Sequence, residues 1–363
     1  MPVSAAAYEA YANEIRRIYA EAELQLLSKL ARRVAAGIDT LDETAWLTRK
    51  MGEIRALQRE LGGTVTSLNG FNNGIRQAIT EAAKSGQAAA DVDLRKLVGV
   101  LEPEVTTGSG AATRALATKY LSYADATIAK LQGMHFPILR STEDIYRKVI
   151  YDAASQVTTG VLTRREATQA ALNRFTKAGI KGFTDARGRQ WQMASYAETA
   201  VRSATGQAAL QGHFDKLSAN GYDLVIVSSD AEPCDSCLPW EGKVLSMNGR
   251  TPGYPTVAEA MADSHLFGPN CGHNTGIYIE GVTREPELIP VEERQQAYME
   301  KSAQRRIERD IRSWKLREAV AIGPRAQEIA AAKIAEQQAR MREFIADTGR
   351  RRDYARESIT RAR

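Results

Sequence analysis

Residues 223–249 read DLVIVSSDAEPCDSCLPWEGKVLSMNG and carry the clearest strand signal of the chain. A β-branched run at 223–228 is bounded by turn-forming residues, a pattern typical of a short strand. Residues 243–247 form a second apolar run that ends at the turn Asn248-Gly249, and 276–279 form a third. Helical spacing dominates elsewhere, so the sequence predicts an α+β protein, predominantly α, with a short antiparallel sheet inside a small α+β module.

The N-terminal part of the chain predicts two long helices. Apolar residues recur at steps of three and four over residues 8–34, which places one apolar stripe on a helix that Gly37 ends. A capping box, Thr40 with Glu43, is expected to begin the next helix, which should stop at residues 62–63. The two helices are therefore expected to form an antiparallel hairpin.

The middle of the chain predicts helices separated by weakly patterned segments. Residues 84–112 mix Gly, Ser, Thr and acidic residues and are interpreted as a connection with weak structure of its own. Thr163 with Glu166 forms a second capping box and begins another helix. Residues 179–191 are interpreted as a loop.

After Pro290 the sequence predicts two charged helices, separated by Gly323-Pro324. The apolar stripe of the first consists of Ile307, Ile311 and Trp314, and that of the second is equally narrow. Such stripes do not bury enough surface to hold a helix alone in water, so they need the rest of the chain or a neighbouring subunit. The predicted regions are an N-terminal helical region at 1–135, a core module with a Cys/His loop at 136–285, and C-terminal helical arms at 286–363.

Composition excludes several classes of protein. Hydrophobic residues make up 43% and charged residues 26%, which is ordinary for a globular chain. No run of about eighteen uncharged apolar residues occurs, so no membrane partner is expected. The first residues lack the basic-then-apolar layout of a signal peptide, because Glu9 and Glu14 interrupt them early. We therefore expect synthesis in a cytoplasm.

The charge of the chain is mildly basic overall and concentrated at its end. A net charge of +5 with a pI near 9.0 does not by itself identify a nucleic-acid binder. The tail is richer in arginine than the rest: Arg340, Arg342, Arg350, Arg351, Arg352, Arg356, Arg361 and Arg363. Such a basic C-terminal tail binds nucleic acid through phosphate, lies on an acidic protein surface, or stays solvated.

Three cysteines and a histidine form the only group of residues in the sequence whose types and spacing indicate metal binding or catalysis. Cys234 and Cys237 are a Cys-x-x-Cys pair, and Cys271 and His273 a Cys-x-His pair. Two close pairs of sulfur and imidazole ligands suit a tetrahedral structural zinc. A zinc ion would tie together both ends of the intervening loop, which is rich in glycine and proline. His265 is a rival fourth ligand.

Other interpretations of these residues stay open. The thiols are reduced structural residues without metal, or Cys271 and His273 form a catalytic pair. A redox Cys-x-x-Cys is disfavoured because no thioredoxin-like βαβ pattern follows it. No glycine-rich phosphate loop and no hydrolase motif occurs in the sequence. No catalytic residue, organic cofactor or small-molecule substrate is therefore predicted.

The blocks 228–249 and 267–284 resemble phage minor capsid proteins related to the head-morphogenesis protein F of phage Mu. The residues that carry the resemblance are Pro239, Trp240, Gly242, Lys243, Val244, Asn270, Cys271 and His273. The C-terminal helices also resemble the tails of minor capsid proteins from phages of Gram-positive hosts. This chain departs from the family's His-Pro-Asn-Cys-Arg-His at Gly268 and Gly272, which leaves His273 as the best fourth ligand.

The resemblance implies a structural part of the head of a tailed bacteriophage. It implies contacts with the major capsid or portal protein, no catalytic activity, and a place in the virion after assembly in the host cytoplasm. The alternative is a zinc-containing DNA-binding protein that acts in genome packaging or ejection. An enzyme such as a Cys–His hydrolase is the third hypothesis.

Overall fold

The computed structural model of the chain describes residues 5–97, 110–158, 162–184, 188, 190–268 and 271–360. The helices are α1 (Ala5–Ala35), α2 (Glu43–Gly52), α3 (Ile54–Ser67), α4 (Asn72–Leu97), α5 (Gly110–Gln132), α6 (His135–Thr158), α7 (Arg164–Ala178), α8 (Met193–Ala219), α9 (Val257–Asp263), α10 (Val291–Ala319), α11 (Pro324–Thr348) and α12 (Tyr354–Glu357). The strands are β1 (Lys181–Thr184), β2 (Gln190–Gln192), β3 (Leu224–Val227), β4 (Val244–Ser246) and β5 (Thr275–Ile277). The predicted fold class, predominantly α with a small antiparallel sheet, is confirmed.

The chain divides into two compact units, each assembled from separate stretches of sequence. The sheet unit combines Asn72–Ala129 and Thr199–Ser302 with the start of α1. The helical unit combines Asn13–Phe71, Lys130–Glu198 and Ala303–Arg363. Whether 1–135, 136–285 and 286–363 act as separate domains stays a prediction. None of the helices in the described part of the chain is both long and apolar enough to cross a bilayer.

The sheet unit is built around a three-stranded antiparallel sheet. Its order is β4-β3-β5, and Val225 lies opposite Leu245 on one side and Ile277 on the other. All three strands fall where the sequence predicts them. Their buried faces join α4, α8 and α9 in one apolar cluster that includes Leu94 and Leu217.

Helices α4 and α8 approach each other closely inside the sheet unit. A Cβ on Gly86 would collide with the carbonyl oxygen of Ala209, and a Cβ on Gly212 with that of Ala83. Glycine is therefore required at both positions, because only it lets the two backbones come this near.

The helical unit confirms part of the N-terminal prediction and corrects part of it. Gly37 has φ +73°, as expected for a helix end. Asp42, not Thr40, caps α2, because its carboxylate accepts a hydrogen bond from the Ala45 N–H at 2.8 Å. The predicted stop at 62–63 is wrong, since α3 continues to Ser67.

The first and third helices nevertheless run antiparallel, as the hairpin prediction required. Lys29 donates a hydrogen bond to Thr64 at 2.7 Å, and Arg33 donates to Glu60 at 3.0 Å. The residue numbers rise along α1 while those of the partners fall along α3, which fixes the antiparallel direction.

Two weakly patterned segments have more structure than the sequence suggested. The supposed connection at 84–112 is helical up to Leu97, and its residues 98–109 lie outside the described part of the chain. Alanine-rich sequence and burial of Ala89 and Ala90 explain the helix. The supposed loop at 179–191 contains the antiparallel pair β1 and β2. The second capping box is confirmed, with Thr163 and Glu166 bonding reciprocally.

The two C-terminal helices pack their narrow stripes against each other. Ile307 and Ile311 of α10 and Met341 of α11 form a small buried cluster inside the helical unit. The tail that follows is not simply solvated, because Arg356 is buried and its guanidinium pairs with Glu308 and Glu198, each at 3.2 Å. The prediction that the stripes need a partner is satisfied here by the chain itself.

Candidate metal centre

The sheet brings together the two ends of the Cys/His loop. Strands β3 and β5 are antiparallel neighbours, so the end of β3 lies beside the beginning of β5. The Ser228 N–H donates to the Asn274 carbonyl oxygen at 2.8 Å, and the Asn274 N–H returns a bond to the Ser228 hydroxyl at 2.9 Å. His273 is therefore fixed next to the bend that follows β3.

A tight bend aims the first two thiols at the same point. The Cys237 N–H donates to the Cys234 carbonyl oxygen at 3.0 Å, and a short 3₁₀ turn, Leu238–Trp240, follows. The sulfur atoms of Cys234 and Cys237 lie 3.3 Å apart. A Cys-x-x-Cys bend of this kind presents both sulfurs to one side.

Cys271 and His273, the second pair of predicted ligands, lie close to Cys237 of the first pair. Among the described residues, Cys237, Cys271 and His273 form one group whose ligand atoms all lie within 4.8 Å of one another. The Cys271 sulfur is 3.3 Å from Nδ1 of His273. Two sulfurs bound to one zinc are about 3.8 Å apart, given Zn–S bonds near 2.3 Å and tetrahedral angles. The donor atoms are therefore of the right kind and close enough to hold a metal ion.

Cys234 and His265 stand outside that group of three. The Cys234 sulfur lies 3.3 Å from the Cys237 sulfur and 3.4 Å from the Ser236 hydroxyl, and the side chain also packs against the apolar cluster of the sheet unit. His265 lies near the same bend, where its N–H contacts the Ser236 hydroxyl at 3.4 Å. Cys234 thus contacts a member of the group directly, whereas His265 is not part of the group found among the described residues.

The pKa values of two thiols in the group, Cys237 and Cys271, are shifted in opposite directions. A hydrogen bond from Cys237 lowers the pKa of Cys271 to about 4, against the opposing effect of burial and with further help from His273. The same hydrogen bond raises the pKa of Cys237, and burial adds to that rise.

A buried ion pair lies behind His273. Nε2 of His273 is 2.8 Å from Oε1 of Glu241, and both side chains are only 1% exposed. Glu241 also accepts a hydrogen bond from the Asp230 N–H at 2.9 Å, and its second oxygen contacts the guanidinium of Arg294. No sequence motif indicates these partners. Glu241 is the unspecified residue in Pro-Trp-x-Gly, and Arg294 lies on a different element, α10.

The backbone beside the site is unusual at Phe267. This buried residue has φ +56°, a conformation that bulky side chains rarely adopt. At Gly268 a Cβ would lie 2.9 Å from the His265 carbonyl oxygen, and at Gly272 it would collide with Asp230. Both departures from the family's pattern therefore lie where a Cβ would be crowded, by backbone at Gly268 and by the Asp230 side chain at Gly272. Asn270 lies outside the described residues.

The space beside the group is small. The cavity lined by Phe267, Cys271 and His273 has a volume of about 50 Å³. Pockets for organic ligands are usually about 300–1,000 Å³. A single ion or a water molecule fits this space, and a peptide or sugar does not.

The fold and the site together define a predominantly helical α+β protein with a candidate metal centre at the edge of its small sheet. The chain belongs to the phage minor capsid protein 2 family, whose model matches residues 6–346. No curated protein and no solved structure gives a significant match.

Family membership identifies a bacteriophage structural protein of the virion, and it favours a structural over an enzymatic role. The resemblance to phage minor capsid proteins is thereby confirmed.

Proposed function

We propose that the protein acts in assembly of the head of a tailed bacteriophage, through contacts with the major capsid or portal protein. The family match over nearly the whole chain carries this proposal. A relation to the head protein F of phage Mu is part of it and rests on residues such as Trp240, Lys243 and His273. Assembly in the host cytoplasm follows from the same proposal.

An exposed apolar surface supports a role in protein contacts. Leu288, Ile289 and Val291, at and before the start of α10, and Met299, two turns further along that helix, are between 41% and 58% exposed. Apolar side chains close together on a surface often mark interaction sites. This surface belongs to the sheet unit.

Mass spectrometry of purified virions tests the proposal directly. Peptides of this chain are expected at a constant ratio to the major capsid protein. The double substitution Leu288→Glu with Met299→Glu is expected to reduce incorporation several-fold, because charge opposes burial of the surface. Ile329→Glu, at another exposed apolar position on α11, serves as control. Absence of the wild-type chain from particles would refute the proposal.

We further propose that Cys234, Cys237, Cys271 and His273 hold one structural zinc ion. The ligand types and the short distances within both pairs support a Cys₃His set. Bound zinc would supply cross-linking of the two loop ends and no reaction, because four protein ligands leave no open position. Elemental analysis is expected to find one zinc per chain in the wild type and in Ser236→Ala, and none in Cys271→Ser.

The alternative of DNA binding through the basic tail has less support. Arg356 pairs with two glutamates and Arg352 with Glu357 at 2.6 Å, so these charges are compensated within the helical unit. Arg361 and Arg363 lie outside the described residues. A steep fall of DNA affinity with salt would favour this alternative.

The hydrolase alternative rests on the same residues as the metal centre. Cys271, His273 and Glu241 have the order nucleophile, base and orienting carboxylate. The small cavity and the nearby thiol of Cys237 argue against it. An electrophilic thiol probe is expected to leave Cys271 unlabelled in the zinc-loaded protein; rapid labelling of that residue alone would favour the hydrolase.

A further inference from the structure

His273 lies between two partners that bind opposite sides of its ring. Nδ1 faces the Cys271 sulfur at 3.3 Å, and Nε2 faces the Glu241 carboxylate at 2.8 Å. Neither ring nitrogen is directed to solvent, because the side chain is 1% exposed. The question is therefore which nitrogen is free to bind a metal ion.

The carboxylate of Glu241 decides the tautomer. A carboxylate only accepts hydrogen bonds, so the short contact requires a hydrogen on Nε2. Neutral imidazole then has its lone pair on Nδ1, directed toward the thiols. Metal-bound histidines commonly donate their other N–H to a carboxylate, which fixes the ring and raises its basicity.

Arg294 keeps Glu241 in place. Both side chains are at least 96% buried, and the guanidinium contacts the Glu241 oxygen that does not face His273. Neither Nε nor Nη1 of Arg294 has another hydrogen-bond partner among the described residues. A buried charge without a partner is costly, so this guanidinium is committed to Glu241.

We propose that His273 binds the metal through Nδ1, and that Glu241, held by Arg294 from α10, is the positioning residue that sets this choice. The proposal rests on the zinc site proposed above and deepens it. It adds two residues to the centre that lie outside the Cys-x-x-Cys and Cys-x-His pairs. It also joins helix α10 to the metal loop within the sheet unit.

Nitrogen NMR of the full-length, ¹⁵N-histidine-labelled protein tests the assignment without any substitution. On addition of zinc, the Nδ1 resonance of His273 is expected to shift to the metal-bound range while Nε2 keeps its proton. A metal-bound Nε2, or a ring that does not respond to one equivalent of zinc, would overturn the proposal.

Metal affinity tests the role of Glu241. Glu241→Gln is expected to weaken zinc binding about 10- to 100-fold in competition with a chelator, as is usual for such supporting carboxylates. The control is Glu232→Gln, which removes an acid of the same bend that pairs with Lys301 at 3.0 Å. Its affinity should equal that of the wild type.

The outcomes separate this inference from the zinc site itself. If wild-type protein binds no zinc, both fail together. If it binds one zinc and Glu241→Gln binds equally tightly, only the role of Glu241 fails. The cobalt(II) absorption spectrum of the variant checks the ligand set: an unchanged thiolate band with weakened affinity supports positioning, whereas a lost band shows collapse of the loop and contradicts it.

Discussion

The sheet unit and the C-terminal part of the helical unit are each stabilised internally in a different way. In the sheet unit, one large apolar cluster joins α4, α8, α9 and all three strands. In the C-terminal part of the helical unit, the apolar cluster has only Ile307, Ile311 and Met341 at its buried centre. Around it lie buried charges, among them Arg356 and Glu308, the latter 1% exposed.

The difference follows from the width of the apolar stripes. Strands β3, β4 and β5 bury alternate or consecutive branched side chains, so a few residues suffice for a core. Helices α10 and α11 contribute Ile307, Ile311 and Met341 to the buried cluster, and polar side chains such as Glu308 and Gln304 are buried on α10 as well. The first region is therefore stabilised mainly by apolar burial, and the second depends on ion pairs that only work when complete.

The largest expected effect is the loss of apolar volume in the sheet unit. Leu245 is fully buried in the cluster. Leu245→Ala should lower the free energy of unfolding by about 4 kcal/mol, through lost burial and a residual cavity. Urea unfolding measures this loss. Val282→Ala, at a position 39% exposed, is the control and should cost less than about 0.5 kcal/mol. If both variants lost the same free energy of unfolding, apolar burial would not be what stabilises the sheet unit.

In the helical unit the matching experiment removes a charge. Arg356→Ala leaves Glu308 and Glu198 with fewer partners and should cost about 3 kcal/mol. Arg340→Ala, on the exposed side of α11, should be nearly neutral. If both variants unfold at the same urea concentration, the buried ion pairs are not what stabilises this region.

The pH dependence of stability tests the cost of burying another ionisable group of the helical unit, Glu23. Burial raises the pKa of Glu23 to about 7, although the Ile180 N–H and Arg312 oppose the shift. The folded protein therefore binds a proton more tightly than the unfolded chain, and stability is lost as pH rises from about 4.5 to about 7.

Glu23→Gln is expected to remove this loss. The variant should gain about 3 kcal/mol of stability relative to wild type at pH 8 and nothing at pH 4. Thermal unfolding at several pH values measures the difference. A constant difference across the pH range would show that Glu23 does not titrate in this window.

The smallest expected effect is one that the two units should share. Each contains a complete capping box: Thr163 with Glu166 in the helical unit, and Thr256 with Glu259 in the sheet unit. Thr163→Ala and Thr256→Ala should each cost about 1 kcal/mol, since a cap acts locally. Substitution by Ser at either position should be nearly silent. A large difference in unfolding free energy between the two Ala variants would mean that the contribution of a cap depends on the unit that contains it.

Sequence patterns predicted several elements whose signals are local, although the local box at Thr40 was wrong because Asp42 caps α2. The strand runs before Ser228 and Met247 and the box at Thr163 depend on neighbouring residues, and all were confirmed. The stop at residues 62–63 was wrong because packing against α1 outweighs the helix penalty of glycine. The segment ending at Leu97 was missed because four of its six buried positions are Gly86, Ala89, Ala90 and Asp93, which leave little contrast in a hydrophobic pattern.

The candidate site was predictable only in its ligand types. The Cys-x-x-Cys and Cys-x-His spacings indicate soft ligands, but their meeting depends on the pairing of β3 with β5. Arg294 lies 53 positions beyond Glu241 along the chain (294 − 241) and on a helix whose pattern is that of a charged surface. Nothing local in the sequence marks it as buried, so only the folded chain identifies it.

The close crossing of α4 and α8 has a consequence for the evolution of this family. Gly86 and Gly212 leave no room for even a methyl group, so alanine at either position should be selected against as strictly as loss of a metal ligand. A survey of invariant positions would then place these glycines beside Cys271, although they bind nothing. These glycines would be invariant for a steric reason and not because they bind a ligand. Only the short distance between the two helix backbones distinguishes the two causes.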